Sequence, residues 1–337
     1  MLLKILAQYT KPYRGTIWLI VVLQALATIA NLLLPSINAD IIDKGIVVGD
    51  TPYILRQGGV MLIVSLVQVA CTIVAVYYGS RVAMAFGRDL RSGIFGRVAE
   101  FSNREVAQFG APSLLTRSTN DVQQVQMLLF MTFSMLVTTP IMMLGGIFMA
   151  LREDVGLSWL VAVAVPLLAG AVGFIIWRAV PGFRQMQTRI DRVNQVMREQ
   201  IGGIRVIRAF VREPHEEARF GRANRELTDV SVFVGRWMSA LFPLVMLILN
   251  LSTVAVLWFG GMRVDAGQME IGSMTAYLSY LLQILIAMLM STMLVMLLPR
   301  ATVSAGRIGE VLDTQATVAP PADGVTNGLL PGRLEFS

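Results

Sequence analysis

Six apolar stretches, each long enough to cross a lipid bilayer as a helix, constrain the fold of this chain more than any other feature. They cover residues 16–37, 58–80, 127–151, 157–177, 237–262 and 274–299. A helix needs about 20 residues to cross a hydrocarbon core of about 30 Å. Lipid offers the backbone no hydrogen-bond partner, so each stretch must satisfy its own backbone as a helix. With 55% hydrophobic residues and a mean hydropathy of +0.64, the sequence predicts an all-α membrane protein with six long transmembrane helices.

The distribution of basic residues predicts which side of the membrane each loop faces. If both termini are cytoplasmic, the outer loops are 38–57, 152–156 and 263–273. Of the 28 basic residues, these loops contain only Lys44, Arg56, Arg152 and Arg263. Because positive charge accumulates on the cytoplasmic side, we predict a multi-pass protein of the plasma (inner) membrane with both termini inside. The remaining arginines would then lie beside anionic lipid headgroups, so the basic pI does not indicate a nucleic-acid partner.

The regions outside the spans differ in character. Residues 1–14 alternate apolar and polar side chains up to Pro12, which is typical of an amphipathic helix on the inner membrane surface; a disordered leader is the alternative. We predict the six-helix domain over 15–315. Residues 316–337 are rich in Pro and Gly and predict a linker, and at its end 332–336 reads as the start of a β-strand. We therefore expect this sequence to be the membrane half of a larger machine.

Two cytoplasmic segments, 81–126 and 178–236, have helical rather than loop-like patterns. Apolar residues recur every three or four positions from Met186 to Ile204, and again from Phe220 to Leu241. Such narrow stripes are typical of paired helices, so spans four and five should continue into the cytoplasm and meet in a hairpin. The first segment repeats this plan, with a break at 110–113. The sequence thus predicts two cytoplasmic helical hairpins.

Residues for ATP hydrolysis are not recognisable in this sequence. A Walker A loop places a lysine directly after a glycine, whereas the three lysines follow Leu3, Thr10 and Asp43. We therefore expect that this chain alone does not hydrolyse ATP. His215 is the single histidine and falls in the second hairpin turn, where we expect it to be exposed. No catalytic, cofactor or metal residues are predicted.

The spans carry no charge in their cores, and few polar side chains interrupt them. In lipid, amide side chains seek partners on neighbouring helices or in a wet cavity. Hydrogen bonds between helices are one interpretation; the other is that these residues line a substrate cavity, to which an adaptable methionine would be suited, although lipid-facing packing is its alternative role. The candidate lining residues are Gln24, Asn31, Gln68, Asn250, Gln283 and Met288. A cavity without charge would favour an amphipathic, lipid-like or drug-like substrate.

Four motifs, in the order in which they occur, resemble those of ABC exporter transmembrane domains. Gly110-x-x-x-Leu114-x-x-Arg117-x-x-x-Asp121-Val122 resembles the first intracellular loop of that family. Gly203-Ile204-Arg205-Val206-Ile207-Arg208-Ala209-Phe210-x-x-Glu213 is similar to the segment that leads into its second coupling helix. Ser304-Ala305-x-Arg307-Ile308-x-Glu310-Val311-Leu312-Asp313 resembles the exit from its sixth helix, and Gly332-Arg333-Leu334-Glu335-Phe336 resembles the first strand of its nucleotide-binding domain.

The resemblance implies a half-transporter of the type IV exporter fold, which dimerises with an identical or different subunit into a twelve-helix bundle. Nucleotide-binding domains, which this sequence lacks, would bind ATP and Mg²⁺. Two coupling helices would contact them. The first coupling helix is placed at Gln108, Phe109, Gly110, Ala111, Pro112, Ser113, Leu114 and Leu115. The second is placed at Val211, Arg212, Glu213, Pro214, His215, Glu216 and Glu217.

The function implied by this resemblance is ATP-driven export of a hydrophobic or amphipathic substrate by alternating access. An importer with the same fold, for a hydrophobic or siderophore-like ligand, is one alternative. A passive channel is the other. Membrane lipid, a second subunit, nucleotide-binding domains and the substrate are the expected partners.

Overall fold

A computed structural model describes residues 1–318, except for the side chains of residues 293–296. Its regular elements over these residues are helical, and no β-strand occurs among them. The helices are α1 (Leu2–Thr10), α2 (Arg14–Asp40), α3 (Thr51–Ala99), α4 (Asn103–Phe109), α5 (Ala111–Thr116), α6 (Val122–Met135), α7 (Thr138–Glu153), α8 (Ser158–Ala209), α9 (Glu213–Asp265) and α10 (Ile271–Asp313). The predicted all-α class is confirmed. The predicted strand at 332–336 and most of the predicted linker lie outside the described residues.

Six helical segments of 43 to 53 residues are long and apolar enough to cross a membrane. At 1.5 Å per residue, the shortest would extend about 65 Å, roughly twice the thickness of a hydrocarbon core. Each segment can therefore cross a bilayer and still continue beyond it. The prediction of six membrane-length helices is confirmed, and α3, α8 and α9 provide the greatest length for extensions beyond the bilayer.

The third of these segments is not one continuous α-helix. It is interrupted at Leu136 and Val137, between α6 and α7. Pro140 explains the position of the break, since it has no N–H to donate to the carbonyl of Leu136, four residues earlier. Other prolines lie inside helices that continue past them: Pro35, Pro166, Pro181, Pro243 and Pro299. Span three therefore contains a local break, whereas these prolines do not end their helices.

The chain divides into two compact units, and several long helices contribute residues to both. The first unit comprises Met1–Ala30, Ser65–Ile141 and the described residues from Leu289 onward. Its core is a cluster of buried apolar side chains from α1, α2, α3, α5, α6 and α10. On α3, Phe86, Leu90 and Ile94 are at most 1% exposed. Their spacing of four residues places them on one helix face, so this part of α3 is packed against protein.

Helix α1 packs on this core with part of its apolar face. Leu2 and Ile5 are 8% and 2% exposed within the cluster. Just after α1, the Tyr13 hydroxyl donates a 2.5 Å hydrogen bond to Asp89 of α3. Pro12 does not end the helical path, because a short 3₁₀ turn over Lys11–Tyr13 leads directly into α2. Leu3, on the same helix, is 81% exposed, and the location of α1 at the membrane surface stays a prediction.

The second unit comprises Asn31–Val64 and Met142–Met288 and contains the long antiparallel pair α8 and α9. On α9 the predicted stripe is correct: Ala223 and Val234 are buried. On α8 the second part of the predicted stripe is wrong. Val196 is 1% exposed, whereas Met197 and Ile201, which we expected to face inward, are 44% and 70% exposed. An α-helix drifts relative to a strict 3.5-residue repeat, which moves the inward face by one residue along α8.

The first part of α10, which belongs to the second unit, is held by hydrogen bonds to other segments of that unit. The Tyr280 hydroxyl, which is buried, donates to the Leu32 carbonyl at 2.9 Å. The Gly272 N–H donates to Asp43 at 2.6 Å. A side chain at position 272 would overlap the Ala39 carbonyl and the Asp43 carboxylate, so the close approach requires glycine.

Candidate functional site

The first hairpin turns back from α3 through a capped short helix. Ser102 precedes α4, and its hydroxyl accepts from the Arg104 N–H at 3.2 Å. The Glu105 carboxylate accepts in return from the Ser102 N–H at 2.7 Å, which completes a capping box. Glu105 is 3% exposed, and hydrogen bonds from the Ser102 and Thr317 side chains lower its pKa to about 2. The turn therefore begins from a fixed, charged anchor.

The predicted first coupling helix is two short helices joined at Gly110. This residue has φ 76°, a region that side-chain-bearing residues rarely occupy, and it ends α4 and begins α5. Gln108 and Phe109 belong to α4, and the other predicted residues follow Gly110 in α5. Leu114 is 7% exposed, whereas Leu115 is 65% exposed. The predicted coupling segment 108–115 is thus divided between α4 and α5 at Gly110, and Leu114 anchors α5 at the tip of the hairpin.

The second hairpin is tighter, and its predicted coupling helix is not a separate helix. Helix α8 ends at Ala209 and α9 begins at Glu213, so only three residues connect them. Val211 has φ 51°, which is unusual for a β-branched residue. Phe210 and Val211 are 72% and 76% exposed. The predicted segment 211–217 is therefore the end of this turn followed by the first turn of α9, which also contains Pro214, His215, Glu216 and Glu217.

Polar contacts directly behind the second turn keep its two helices together. The Gln200 side chain donates to the Glu216 carbonyl at 2.9 Å. Arg219 forms ion pairs with Glu199 and, at 3.4 Å, with Glu216. The Arg219 guanidinium lowers the pKa of Glu199. His215 is exposed on the first turn of α9, as expected. Both hairpins thus end in exposed apolar side chains, supported from behind by hydrogen bonds or buried residues.

The polar residues of the spans fall into different environments. Gln24 is 6% exposed, and its side-chain oxygen accepts from the Thr138 hydroxyl at 3.2 Å. This favours the interpretation of a hydrogen bond between helices at that position. Gln68 is half-buried in the first unit and Asn31 in the second, and each has interactions with neighbouring groups. Neither is a free polar group.

The three remaining candidates belong to the second unit. Asn250 is exposed on α9, and Met288 is half-buried on α10 and contacts neighbouring groups. Gln283 is half-buried, and its side-chain oxygen is enclosed without a hydrogen-bond partner. A buried carbonyl oxygen without a partner is costly, so Gln283 is the candidate whose geometry most calls for a further donor.

Arg117 and Asp121 belong to the motif over residues 110–122, but the sequence predicted no separate role for either residue. Both lie in a π-helical turn directly after α5, and both contact α10. A π turn inside a helical path is often found at functional positions. The motif spacing could have singled out these residues, but their partners on a helix far along the chain could not be read from it.

Six long apolar helices with two helical hairpins define an exporter-type membrane domain. The sequence profile of the ABC transporter transmembrane region matches residues 17–288. The chain therefore belongs to the ABC transporter family and is a multi-pass membrane domain of that family.

The chain is similar to several bacterial proteins. An uncharacterized ABC transporter ATP-binding protein of Mycobacterium tuberculosis (strain H37Rv) is 50% identical over 332 residues, which are 97% of this chain and 57% of that relative. One from Bacillus subtilis (strain 168) is 33% identical over 331 residues, again 97% and 57%. A fatty acid ABC transporter ATP-binding/permease protein of Mycobacterium bovis is 30% identical over 224 residues, 66% and 35%. The chain spans 57% of the length of the first two relatives.

Proposed function

We propose that this chain is the membrane domain of an ATP-driven exporter and works as a dimer by alternating access. The observation that carries this proposal is the pair of hairpin tips, each of which presents exposed apolar side chains on a supported turn. Exposed apolar groups rimmed by polar ones mark protein-contact surfaces. Leu115 on the first tip and Phe210 and Val211 on the second would contact nucleotide-binding domains, where ATP and Mg²⁺ bind.

The proposed orientation places both hairpins and both termini in the cytoplasm, with the plasma membrane as the location. The charge distribution of the loops supports it. Exposed tryptophans also lie near the ends of spans, where their amphipathic rings favour the membrane interface. Trp18 and Trp177 are 70% and 68% exposed near the proposed inner ends, and Trp159 and Trp258 are 48% and 68% exposed near the proposed outer ends.

The proposed substrate is amphipathic and lipid-like. Spans without charged side chains give an ion or a sugar little to bind, whereas an acyl chain needs only apolar surface and a few polar groups. One relative is named as a fatty acid transporter, which supports the same class for this chain. The unpartnered oxygen of Gln283 would accept from a hydroxyl or protonated carboxyl group of such a molecule.

The coupling role is tested by reversing charge at the second tip. The double variant Glu213→Lys/Glu217→Lys, in the full-length protein in lipid vesicles, changes two exposed positions without removing core contacts. Asp229→Lys, also exposed on α9 but away from the tip, is the matched control. We expect transport of a fluorescent long-chain fatty acid per ATP hydrolysed to fall by about fivefold or more, as for a lost coupling interaction, and only in the double variant. An unchanged ratio would refute the coupling role.

The cavity assignment is tested with Gln283→Leu and Asn250→Leu. The matched control is Thr253→Val, because the Thr253 hydroxyl bonds only to the carbonyl of Leu249 in its own helix among its described contacts. Loss of fatty acid transport with intact assembly would support a cavity lining. Unchanged substrate profiles for both leucine variants would refute the assignment of Gln283 and Asn250 to a cavity lining.

Transport direction is decided in the same vesicles. ATP-dependent uptake into inside-out vesicles supports export, and ATP-dependent release from them indicates the importer with the same fold. Flux of the fatty acid without ATP would indicate a passive channel.

A further inference from the structure

The first hairpin contacts the C-terminal part of α10 at two places and the segment after α10 at a third, all within the first unit. The contacts come from Glu105, Arg117 and Asp121, which we call the α10 clamp. Arg117 and Asp121 are the first and last residues of a π-helical turn, Arg117–Asp121. A π turn accommodates one more residue than an α-helical turn, and here it leaves both side chains in contact with α10.

Within the clamp, Arg117 contacts both α10 and the Phe109 ring. Its guanidinium donates to the Arg307 carbonyl at 2.5 Å and forms an ion pair with Glu310 at 2.8 Å. It also lies over the Phe109 ring, 4.9 Å from the centroid. The Arg117 side chain is 11% exposed. The planar fork of an arginine can serve a carbonyl, a carboxylate and a ring together, which a lysine cannot do.

Asp121 depends on α10 for the compensation of its charge. It is 5% exposed, and one carboxylate oxygen accepts from the Ser304 hydroxyl at 2.9 Å. The other oxygen has no hydrogen bond and lies 3.4 Å from the Arg307 guanidinium. A buried carboxylate is costly unless it is paired. A shift of α10 along its axis would remove these partners, so Asp121 favours one position of α10.

Glu105 extends the clamp to the segment that follows α10. The Thr317 hydroxyl donates to Glu105 at 2.7 Å, and it lies 3.3 Å from the Ser102 hydroxyl. Thr317 is four residues beyond the last residue of α10, Asp313. The exit segment is therefore tied to the same capping box that begins the hairpin turn.

We propose that Glu105, Arg117 and Asp121 are positioning residues that lock the first hairpin to α10 and its exit segment, so that all three move as one lever. The inference rests on the proposed function, because a lever is useful only if nucleotide-driven domains act on the hairpin. In this arrangement a displacement of the α5 tip would move α10, one of the six spans, without deforming the turn between them.

The test uses the full-length protein in lipid nanodiscs and hydrogen–deuterium exchange measured by mass spectrometry. Arg117→Gln removes the charged fork, and Arg91→Gln is the matched control on the exposed surface of α3. Thr317→Val removes one hydroxyl, and its control is Thr314→Val, whose hydroxyl bonds to the carbonyl of Glu310 in the preceding turn. These two valine variants keep the test informative if Arg117→Gln does not fold.

Two readouts separate a lever from a merely stabilising contact. The first is the exchange rate of backbone amides in 300–318 without nucleotide. The second is the change in exchange of the outer loop, 263–273, when ATP and vanadate are added. We expect Arg117→Gln and Thr317→Val to raise the first by about fivefold or more and to reduce the second to a similar degree, as for a lost coupling interaction, while ATP hydrolysis continues. Both controls should match the wild type.

The outcomes discriminate between the inferences. Unchanged exchange in 300–318 would refute the clamp. Faster exchange there with an undiminished response of the outer loop would show that the contacts stabilise α10 without transmitting movement, and would overturn the lever. If the wild type neither hydrolyses ATP nor responds to vanadate, the proposed function and the lever both fail, whereas the clamp itself is still decided by the first readout.

Discussion

The packing of the C-terminal part of α3 gives a quantitative prediction, because two phenylalanines on this helix differ sharply in burial. Phe86 is fully buried and meets the Tyr9 ring edge to face at a centroid distance of 6.3 Å, whereas Phe95 is 75% exposed. Replacing a buried phenylalanine with alanine costs about 3–5 kcal/mol through lost burial and the cavity that remains. A substitution at an exposed position changes the free energy of unfolding by about 0.5 kcal/mol or less. Phe86→Ala should therefore be far more destabilising than Phe95→Ala.

The melting temperature in detergent, read from the protein that remains monodisperse after heating, measures this difference. At about 2 °C per kcal/mol, the lower end of the values for large domains, Phe86→Ala should lower it by about 6–10 °C. The matched Phe95→Ala variant should lower it by about 1 °C.

Similar shifts for the two variants would refute the arrangement of the first unit. If residue 86 faced lipid or solvent, its truncation would cost no more than that of Phe95. The comparison also tests α1, since Tyr9 contributes to the environment of Phe86 only if α1 packs along α3.

Three further predictions concern residues in or directly before the first part of α10. Gly272→Ala should lower the melting temperature, since a side chain there overlaps the end of α2, whereas Gly261→Ala, with open space around it, should not. The carboxylate of Asp43 raises the pKa of Glu270 through a hydrogen bond and like charge. A raised carboxyl pKa means that the folded state binds the proton more tightly, so stability should fall as pH rises above the ordinary glutamate range, and Glu270→Gln should flatten this slope in melting curves from pH 4 to 8. Tyr280→Phe should cost about 1 kcal/mol, since it removes one buried hydrogen bond, and an unchanged melting temperature would contradict that contact.

Local sequence patterns sufficed for the helices because lipid makes their physics local. A span must satisfy its backbone within itself, so the apolar length alone predicts it. The stripe on α9 and the break at Gly110 also follow from nearby residues, through helical periodicity and the conformational range of glycine. Pro140 accounts for the interruption at Leu136 once the structure shows it, but Pro166 and Pro243 lie inside continuous helices, so a proline alone does not predict a break.

Contacts between helices were not readable in the same way. The partner of Gln24 proved to be Thr138, and part of the apolar face of α1 proved to pack on the protein core. An amphipathic pattern states that a face needs covering, but it does not state whether lipid, another helix or a second subunit covers it. The error on α8 has another cause, because the polar Gln200, which an apolar pattern passes over, lies on the inward face and donates to the Glu216 carbonyl.

The sequence by itself determined that this protein is an all-α membrane domain with six spans and two helical hairpins, and its motifs already resembled those of ABC transporter membrane domains. Only the tertiary structure decided how the first hairpin is attached to the rest of the molecule. Arg117 and the Arg307 carbonyl are 190 positions apart in the chain, and Glu105 and Thr317 are 212 apart. Each of these residues alone predicts only a solvated charge or hydroxyl. Their pairing follows from the packing of α3, α5 and α10 around a shared apolar core, because that packing fixes which polar groups meet at its edge.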